Sequence, residues 1–390
     1  MAEPVERPAR LADVARYAGV SAQTVSRVAT GKGGVSGETR SRVEEAIAAL
    51  RYRPNSVARA LATNRTMHIG VIVYDLSVTS PSRALFGVCE EARSFGYSTN
   101  LVTVPDVSVS SLRSAIRSLS EDAVEGILVL APMTGLRAAL SELRAGVPLV
   151  SFDQGGGNGP DTVGLDEVLA AQVATRHLLS LGHRDIELMA GPDGWAATGA
   201  REAGWRREMA LASLPIRTPV RARDWSPQAG YDAAREMISR GLPPALLISS
   251  DTLAVGAFAA WREAEVRIPD DLSVVSFDAS PLAQFMDPPL TSVWLDFAGA
   301  GRAALTRLLA VLGVGEPSPP NGSLVPRLVE GKSAAYVPLR PVRAEHLRPN
   351  PAPTPKAPDQ GHLGNTAPQA KPLTGQGKHG PRHPEPGKPR

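Results

Sequence analysis

The 390-residue chain has a single cysteine, Cys89, so no disulfide can close within it and no zinc site can rest on paired thiolates. Long apolar runs are missing too: none approaches the ~20 residues that a membrane-spanning helix requires. The stretch from Met1 to Gly19 carries charges throughout and has no apolar centre, unlike a secretory leader. These absences lead us to expect a cytoplasmic chain with no membrane partner. Catalytic signatures are equally scarce. There is no glycine-rich phosphate loop ending in Lys-Ser or Lys-Thr, no Gly-x-Ser-x-Gly elbow and no His-Glu-x-x-His helix. The seven histidines are scattered, and His183, in Leu-Gly-His-Arg, reads as a helix-to-strand turn. The run Gly155 to Gly159 follows a strand but leads into Pro160, so it reads as a flexible lip. We therefore expect no enzyme, no metal and no cofactor.

What is present is enough apolar material, 43% of residues, for a chain of two or three domains. The net charge of +3 is unevenly spread: +5 over residues 1–66, −7 over 67–340 and +5 over 341–390. A basic head on an acidic body suits a nucleic-acid-binding module joined to a domain that does not bind nucleic acid. Arginine-rich helices in an arginine-rich chain would give a similar balance. The last fifty residues hold 12 prolines and 6 glycines and almost no large apolar residue after Leu347. Such a segment cannot bury enough surface to offset its ordering entropy, and it is expected to be a disordered tail.

In the first sixty residues, Leu11, Val14, Ala15 and Ala18 fall at helical spacing, and Gly19 supplies a turn that tolerates a left-handed backbone. Ser21 can cap a second helix, Ala22 to Ala29, whose Val25 and Val28 face inward while Ala22, Gln23, Ser26 and Arg27 point elsewhere. Two short helices joined by a tight glycine-containing turn make a helix-turn-helix, whose second helix fits the major groove of DNA. A third helix runs from a Ser36 cap to Leu50. Tyr52-Arg53-Pro54-Asn55 breaks it, and Asn55 can cap a short fourth segment over residues 56–62.

The segments LADVARYAGVSAQTVSRV and VSGETRSRVEEAIAALRYRPNSVARALA resemble the headpiece and hinge of the lactose/galactose-repressor family, and the similarity continues to about residue 340. It implies an all-α helix-turn-helix headpiece (1–54), a hinge helix and linker (55–66), and a two-lobed effector-binding and dimerisation core (67–340), followed by the tail (341–390). Chemistry then assigns roles. Gln23 can pair with a base edge, and Arg27 can offer a guanine its bidentate fork. By resemblance Ala22, Gln23 and Arg27 read bases. Ala22 replaces an aromatic residue of the family's type member, so the operator should differ. Thr24, Ser26, Thr39 and Asn55 are candidates for phosphate contacts that set register. The resemblance makes Leu61 a minor-groove wedge and Ala58 the small residue that lets two hinge helices approach. An ordinary apolar linker residue is the other reading of Leu61.

From His68 onward apolar strands alternate with amphipathic helices: strands at 68–74, 98–104, 126–130, 148–153, 185–190, 219–223, 245–249 and 273–277, with helices at 82–95, 136–145, 168–181, 201–212, 228–240 and 253–264. This alternation predicts an α/β core of two doubly wound parallel-sheet lobes, periplasmic-binding-protein-like by resemblance. Residues 290–295 and 325–329 are expected as return strands around a helix at 297–312. Ligands in such sheets bind beyond the strands' carboxyl ends, which singles out Asp75, Asp153, Ser250, Asp251 and Asp278. Asp after a strand is also a common helix cap or turn former, and Asp251 reads as a cap.

The resemblance further implies that Asp153, Arg201, Ser250 and Asp278 bond sugar hydroxyls while Trp225 packs on the ring. That chemistry suits carboxylates, a guanidinium fork and an indole, although Trp225 can equally be a buried structural aromatic. Ser250, Ala197 and Leu295 stand where the type member has polar side chains, so the ligand should differ from a simple galactoside. One face of the 82–95 helix (Leu85, Val88, Cys89, Ala92) serves as well for dimer contact as for core packing. The expected protein is a homodimeric regulator of a near-palindromic double-stranded DNA operator, controlled by a sugar-like effector. The rival is a sugar-binding or sugar-processing protein whose N-terminal helices only mediate assembly.

Overall fold

The computed structural model describes residues 9–29, 34–52, 65–153, 162–315 and 324–337. Asn55, Ala58 and Leu61, the glycine run at 155–159, and the tail all lie outside them.

Three helices form the headpiece: α1 (Leu11–Ala18), α2 (Ala22–Ala29) and α3 (Gly37–Ala49). Gly19 ends α1 with φ of 65°, a conformation that a side chain would resist. The Ser21 hydroxyl then accepts the Thr24 amide at 3.1 Å, and the Ser36 hydroxyl accepts the Thr39 amide at 3.3 Å, satisfying N–H groups that a helix start leaves open. Val14, Ala15, Ala18, Val25, Val28, Val43, Ala46 and Tyr52 close one small core.

The first lobe contains β1 (His68–Tyr74), α4 (Thr79–Ser94), β2 (Ser98–Val104), α5 (Val109–Glu121), β3 (Gly126–Leu130), α6 (Leu136–Ser141), β4 (Leu149–Asp153) and β5 (Thr162–Gly164). Its strands are all parallel in the order β2-β1-β3-β4-β5. Because strand side chains alternate, Ile69, Val71 and Val73 of β1 enter one core while Ile72 enters another, under α5 and α6.

The second lobe contains α7 (Glu167–Ser180), β6 (Ile186–Ala190), α8 (Ala196–Leu211), β7 (Val220–Arg221), α9 (Pro227–Arg240), β8 (Ala245–Ile248), α10 (Asp251–Glu263), β9 (Ser273–Asp278), β10 (Thr291–Trp294) and β11 (Arg327–Val329). The sheet order is β11-β10-β9-β8-β6-β7, and only β11 runs antiparallel to its neighbour. The remaining helix, α11 (Phe297–Val311), packs on α4 and behind β3, β4 and β5 of the first lobe. The chain therefore passes between lobes after β5, after β10 and after α11, and each lobe needs segments distant in sequence.

The return strands and their helix are found as the sequence predicts. Three differences stand out. The sequence reading lacks α5 and the three-residue β5. Helix α4 begins at Thr79 rather than Ser82, because Pro81 in the first turn gives up an N–H that has no intrahelical acceptor there. Strand β7 is also shorter than expected, at Val220–Arg221.

Candidate functional site

The headpiece and the cleft each gather a set of functional side chains. On α2, Val25 and Val28 are buried, which turns Ala22, Gln23, Ser26 and Arg27 to the exposed side. This is the face expected to meet base edges. Thr24 and Thr39 are half-buried, and their hydroxyls pair with the capping hydroxyls of Ser21 and Ser36, both at 2.9 Å. They lock the first turns of α2 and α3.

A pocket of about 410 Å³, counting its mouth, lies at the carboxyl ends of the strands in both lobes. From the first lobe it takes Ser77, Val78, Thr79 and Ser80, the start of α4. From the second it takes Trp195, Ala197, Arg201, Trp225, Ser250, Thr252 and Asp278. Of the residues expected to bind the effector, Arg201, Trp225, Ser250 and Asp278 meet here. Asp153 ends β4, but its side chain lies outside the described residues.

Arg201 is the hub, 3% exposed on α8. Its Nε donates to Glu167 Oε2 at 2.8 Å, Nη1 donates to the Ser249 carbonyl, and Nη2 reaches Asp278 Oδ1 at 3.4 Å. The guanidinium also lies 4.6 Å from the Phe277 ring centroid. Burial works to lower the Arg201 pKa, but Glu167 and Asp278 outweigh it and hold the group firmly charged. Asp278 is pushed up to about 7: burial is the main cause, opposed by Arg201 and reinforced by Asp251 and Glu167. Glu167 opens α7 just after the first crossing, so one guanidinium joins crossing, pocket and β8.

Asp251 does not cap α10; Ser250 does, its hydroxyl accepting the Leu253 amide at 3.2 Å. Asp251 instead turns inward, accepting the Ser280 amide at 2.6 Å and the Ser292 hydroxyl at 2.8 Å, and burial raises its pKa. It is structural, tying the ends of β9 and β10. Asp75 is a turn former, with φ of 47° and its carboxylate accepting the Ser77 amide at 3.0 Å. Leu295 is buried in the core and does not line the pocket.

Sequence reasoning missed Trp195, Glu167, Thr252 and the start of α4. Trp195 sits between Tyr74 of the first lobe and Trp225 of the second, with ring centroids 5.7 Å away in both directions. Around it the backbone bridges the lobes: the Thr134 amide donates to the Gly194 carbonyl at 2.8 Å, and the Ala196 amide donates to the Pro132 carbonyl at 3.0 Å. Trp225 in turn lies over Gly191, where a Cβ would stand 2.1 Å from the indole. The buried Trp225 indole N–H has no hydrogen-bond partner among the described residues, and neither do Glu167 Oε1 and Ser249 Oγ. No helix among the described residues is long and apolar enough to cross a membrane, and no cluster of potential metal ligands occurs among them.

Comparison with known proteins follows the same division. Residues 10–55 match the family model of bacterial regulatory proteins, lacI family, and residues 175–334 match that of the periplasmic binding protein-like domain. The lactose operon repressor of Escherichia coli (strain K12) is 33% identical over 330 residues, covering 84% of this chain and 91% of that protein. The HTH-type transcriptional repressor PurR of Glaesserella parasuis serovar 5 (strain SH0165) is 31% identical over 304 residues, 77% of this chain and 89% of the relative. Among solved structures, the lac repressor dimer bound to operator and the anti-inducer ONPF superposes with a TM-score of 0.72 at 30% identity, covering 84% of this chain and all of that one. The complex of the transcriptional regulator CelR with cellobiose gives 0.59 at 27% identity, with the same coverage.

Proposed function

The chain belongs to the lacI family of bacterial regulatory proteins, and from that premise we propose that it is a homodimeric transcriptional repressor whose operator affinity is set by a small sugar-like effector in the cleft. The observation that carries the DNA side is the face of α2. Val25 and Val28 are spent on the headpiece core, and Gln23, Ser26 and Arg27 stand exposed beside Ala22. Gln23 and Arg27 read base edges, with Ala22 limited to an apolar contact such as a thymine methyl. Thr24, Ser26, Thr39 and Asn55 set register on phosphates, and two hinge segments bring Leu61 to the minor groove with Ala58 between them.

The relatives are repressors rather than enzymes. A structure in the family shows a dimer on its operator, and a dimer reads a near-palindromic site through successive major grooves. On the effector side, Asp278, Arg201 and Ser250 with the Trp225 indole offer acceptors, donors and a flat apolar surface; the family resemblance adds Asp153, the last residue of β4. An effector acts by binding one lobe arrangement more tightly than the other, and its differential affinity bounds the shift in operator binding.

Selection of duplexes from a random pool by the full-length protein tests this directly, with free sugars then added to the bound fraction. A recurrent near-palindrome should emerge, and at least one sugar should change its retention. Arg27→Ala should cost about 1–3 kcal/mol on that site and relax the choice at one base pair in each half. Equal binding to all duplexes would overturn the proposal.

A further inference from the structure

Two features of the cleft bear on the size of ligand it admits: the aromatic row Tyr74–Trp195–Trp225 and the backbone bridge beside it. Trp195 is only 6% exposed, yet it lines the pocket. Its ring is held from both lobes, by Tyr74 on one side and Trp225 on the other. Its main chain is fixed as well, because Gly194 turns with φ of 83° and its carbonyl accepts from the Thr134 amide at 2.8 Å and the Thr134 hydroxyl at 3.1 Å. A side chain pinned in this way cannot swing aside without breaking contacts in both lobes, so it acts as a fixed wall.

Trp195 borders the pocket beside Trp225, and Arg201, Asp278, Ser250 and Thr252 supply its polar lining. The Trp225 indole, whose buried N–H has no partner among the described residues, lines the pocket next to Trp195.

We propose that Trp195 is the specificity-determining residue of this cleft, blocking one end so that the effector is a single sugar ring and not a disaccharide or a glycoside with a bulky aglycone. This rests on reading the cleft as a sugar site. The polar end orients the ring, Trp225 covers its C–H face, and Trp195 stands where a second ring would continue. Excess bulk is rejected by sterics, since neither Tyr74 nor the bridged backbone leaves the indole a place to go.

The test measures binding of free aldoses (glucose, galactose, mannose, xylose, arabinose), of their p-nitrophenyl glycosides, and of cellobiose, maltose, lactose and melibiose. Full-length protein and its Trp195→Ala and Trp195→Phe variants are titrated calorimetrically, and the same sugars are scored for their effect on operator retention. Wild-type protein should prefer an aldose over its two-ring or aryl counterpart by at least about tenfold, and Trp195→Ala should erase most of that gap by strengthening the larger ligand. Trp195→Phe should fall between them, and it carries the test if the alanine variant shows no cooperative urea transition. Wild-type protein that favours disaccharides or aryl glycosides overturns the inference, as does an unchanged gap in both variants. If sugars alter operator retention but size preference ignores Trp195, only this inference fails. If no sugar binds while operator selectivity persists, the sugar reading falls and takes the inference with it.

Discussion

Removing the Arg201 side chain would leave Glu167 and Asp278 without a cation in a space that water barely reaches, since the two carboxylates are 0% and 8% exposed. A buried ion pair adds little to stability when intact, because desolvation offsets the attraction, but losing one partner strands the other charge. Arg201→Ala should therefore destabilise the second lobe by ~3–5 kcal/mol, and adding Glu167→Gln should return part of it. Urea unfolding of the single and double variants checks this, and a single variant as stable as the wild type would mean that the cluster relaxes freely. Loss of sugar response in Arg201→Ala alone would thus not separate ligand contact from lobe integrity. Ser250→Ala is the cleaner probe of the polar end. It still removes a cap, typically worth ~1 kcal/mol, but it leaves no buried charge behind.

Between elements, the contact of α4 with α11 helps bind the late part of the chain to the first lobe, beside the packing of α11 on β3, β4 and β5. A Cβ at Gly87 would stand 2.0 Å from the Ala298 carbonyl oxygen, and one at Gly301 would stand 2.0 Å from that of Ala84. Both obstacles are backbone, so neither can rotate away. Gly87→Ala should push the helices apart and cost ~1–3 kcal/mol, read as a lower urea midpoint with an unchanged slope. Nothing in the local sequence announces this contact, since Gly87 and Gly301 are more than two hundred residues apart. The strands of both lobes other than β5 were legible because they are short, largely apolar runs bounded by turn residues. The headpiece was legible because Leu11, Val14, Ala15 and Ala18 keep strict helical spacing beside recognisable caps. Helix α5 also keeps that spacing, through Leu112, Ala115, Ile116 and Leu119, but its serines give it the look of a loop. The cleft was legible where it uses strand ends, at Ser250 and Asp278. It was not legible at Trp195, Glu167 and the start of α4, because only the lobe-crossing topology brings residues 77–80, 167 and 195 to one place. Glu167 looks in sequence like any acidic residue in a helix's first turn, and only its burial against Arg201 shows otherwise.

For the molecule as a whole, the proposed contact of Asp278 with a sugar couples proton, ligand and operator binding. Its pKa of about 7 means that near neutrality the carboxyl is shared between protonated and charged forms. The charged groups around it come from three helices: Arg201 on α8, Asp251 on α10 and Glu167 on α7. A sugar hydroxyl donating to Asp278 favours the carboxylate, so binding expels the proton that the empty cleft holds. Affinity should then be greatest well above pH 7 and fall by about tenfold from pH 8 to pH 6, with a matching release of protons into the buffer. Folding alone runs the other way. A carboxyl raised from 3.8 to about 7 favours the folded state below pH 3.8, and that contribution is lost as the pH climbs through 7. The ligand-free protein should therefore lose the Asp278 contribution progressively from about pH 4 to pH 7, mostly below the interval in which it gains affinity. Binding couplings are reciprocal, so the sugar concentration needed to shift operator binding should move with pH by the same factor as the affinity. Asp278→Asn keeps the shape, cannot titrate, and should flatten both curves. Calorimetry in two buffers of different ionisation enthalpy, at pH 6, 7 and 8, measures the protons directly, and an affinity independent of pH in the wild type would show that the ligand leaves Asp278 untouched.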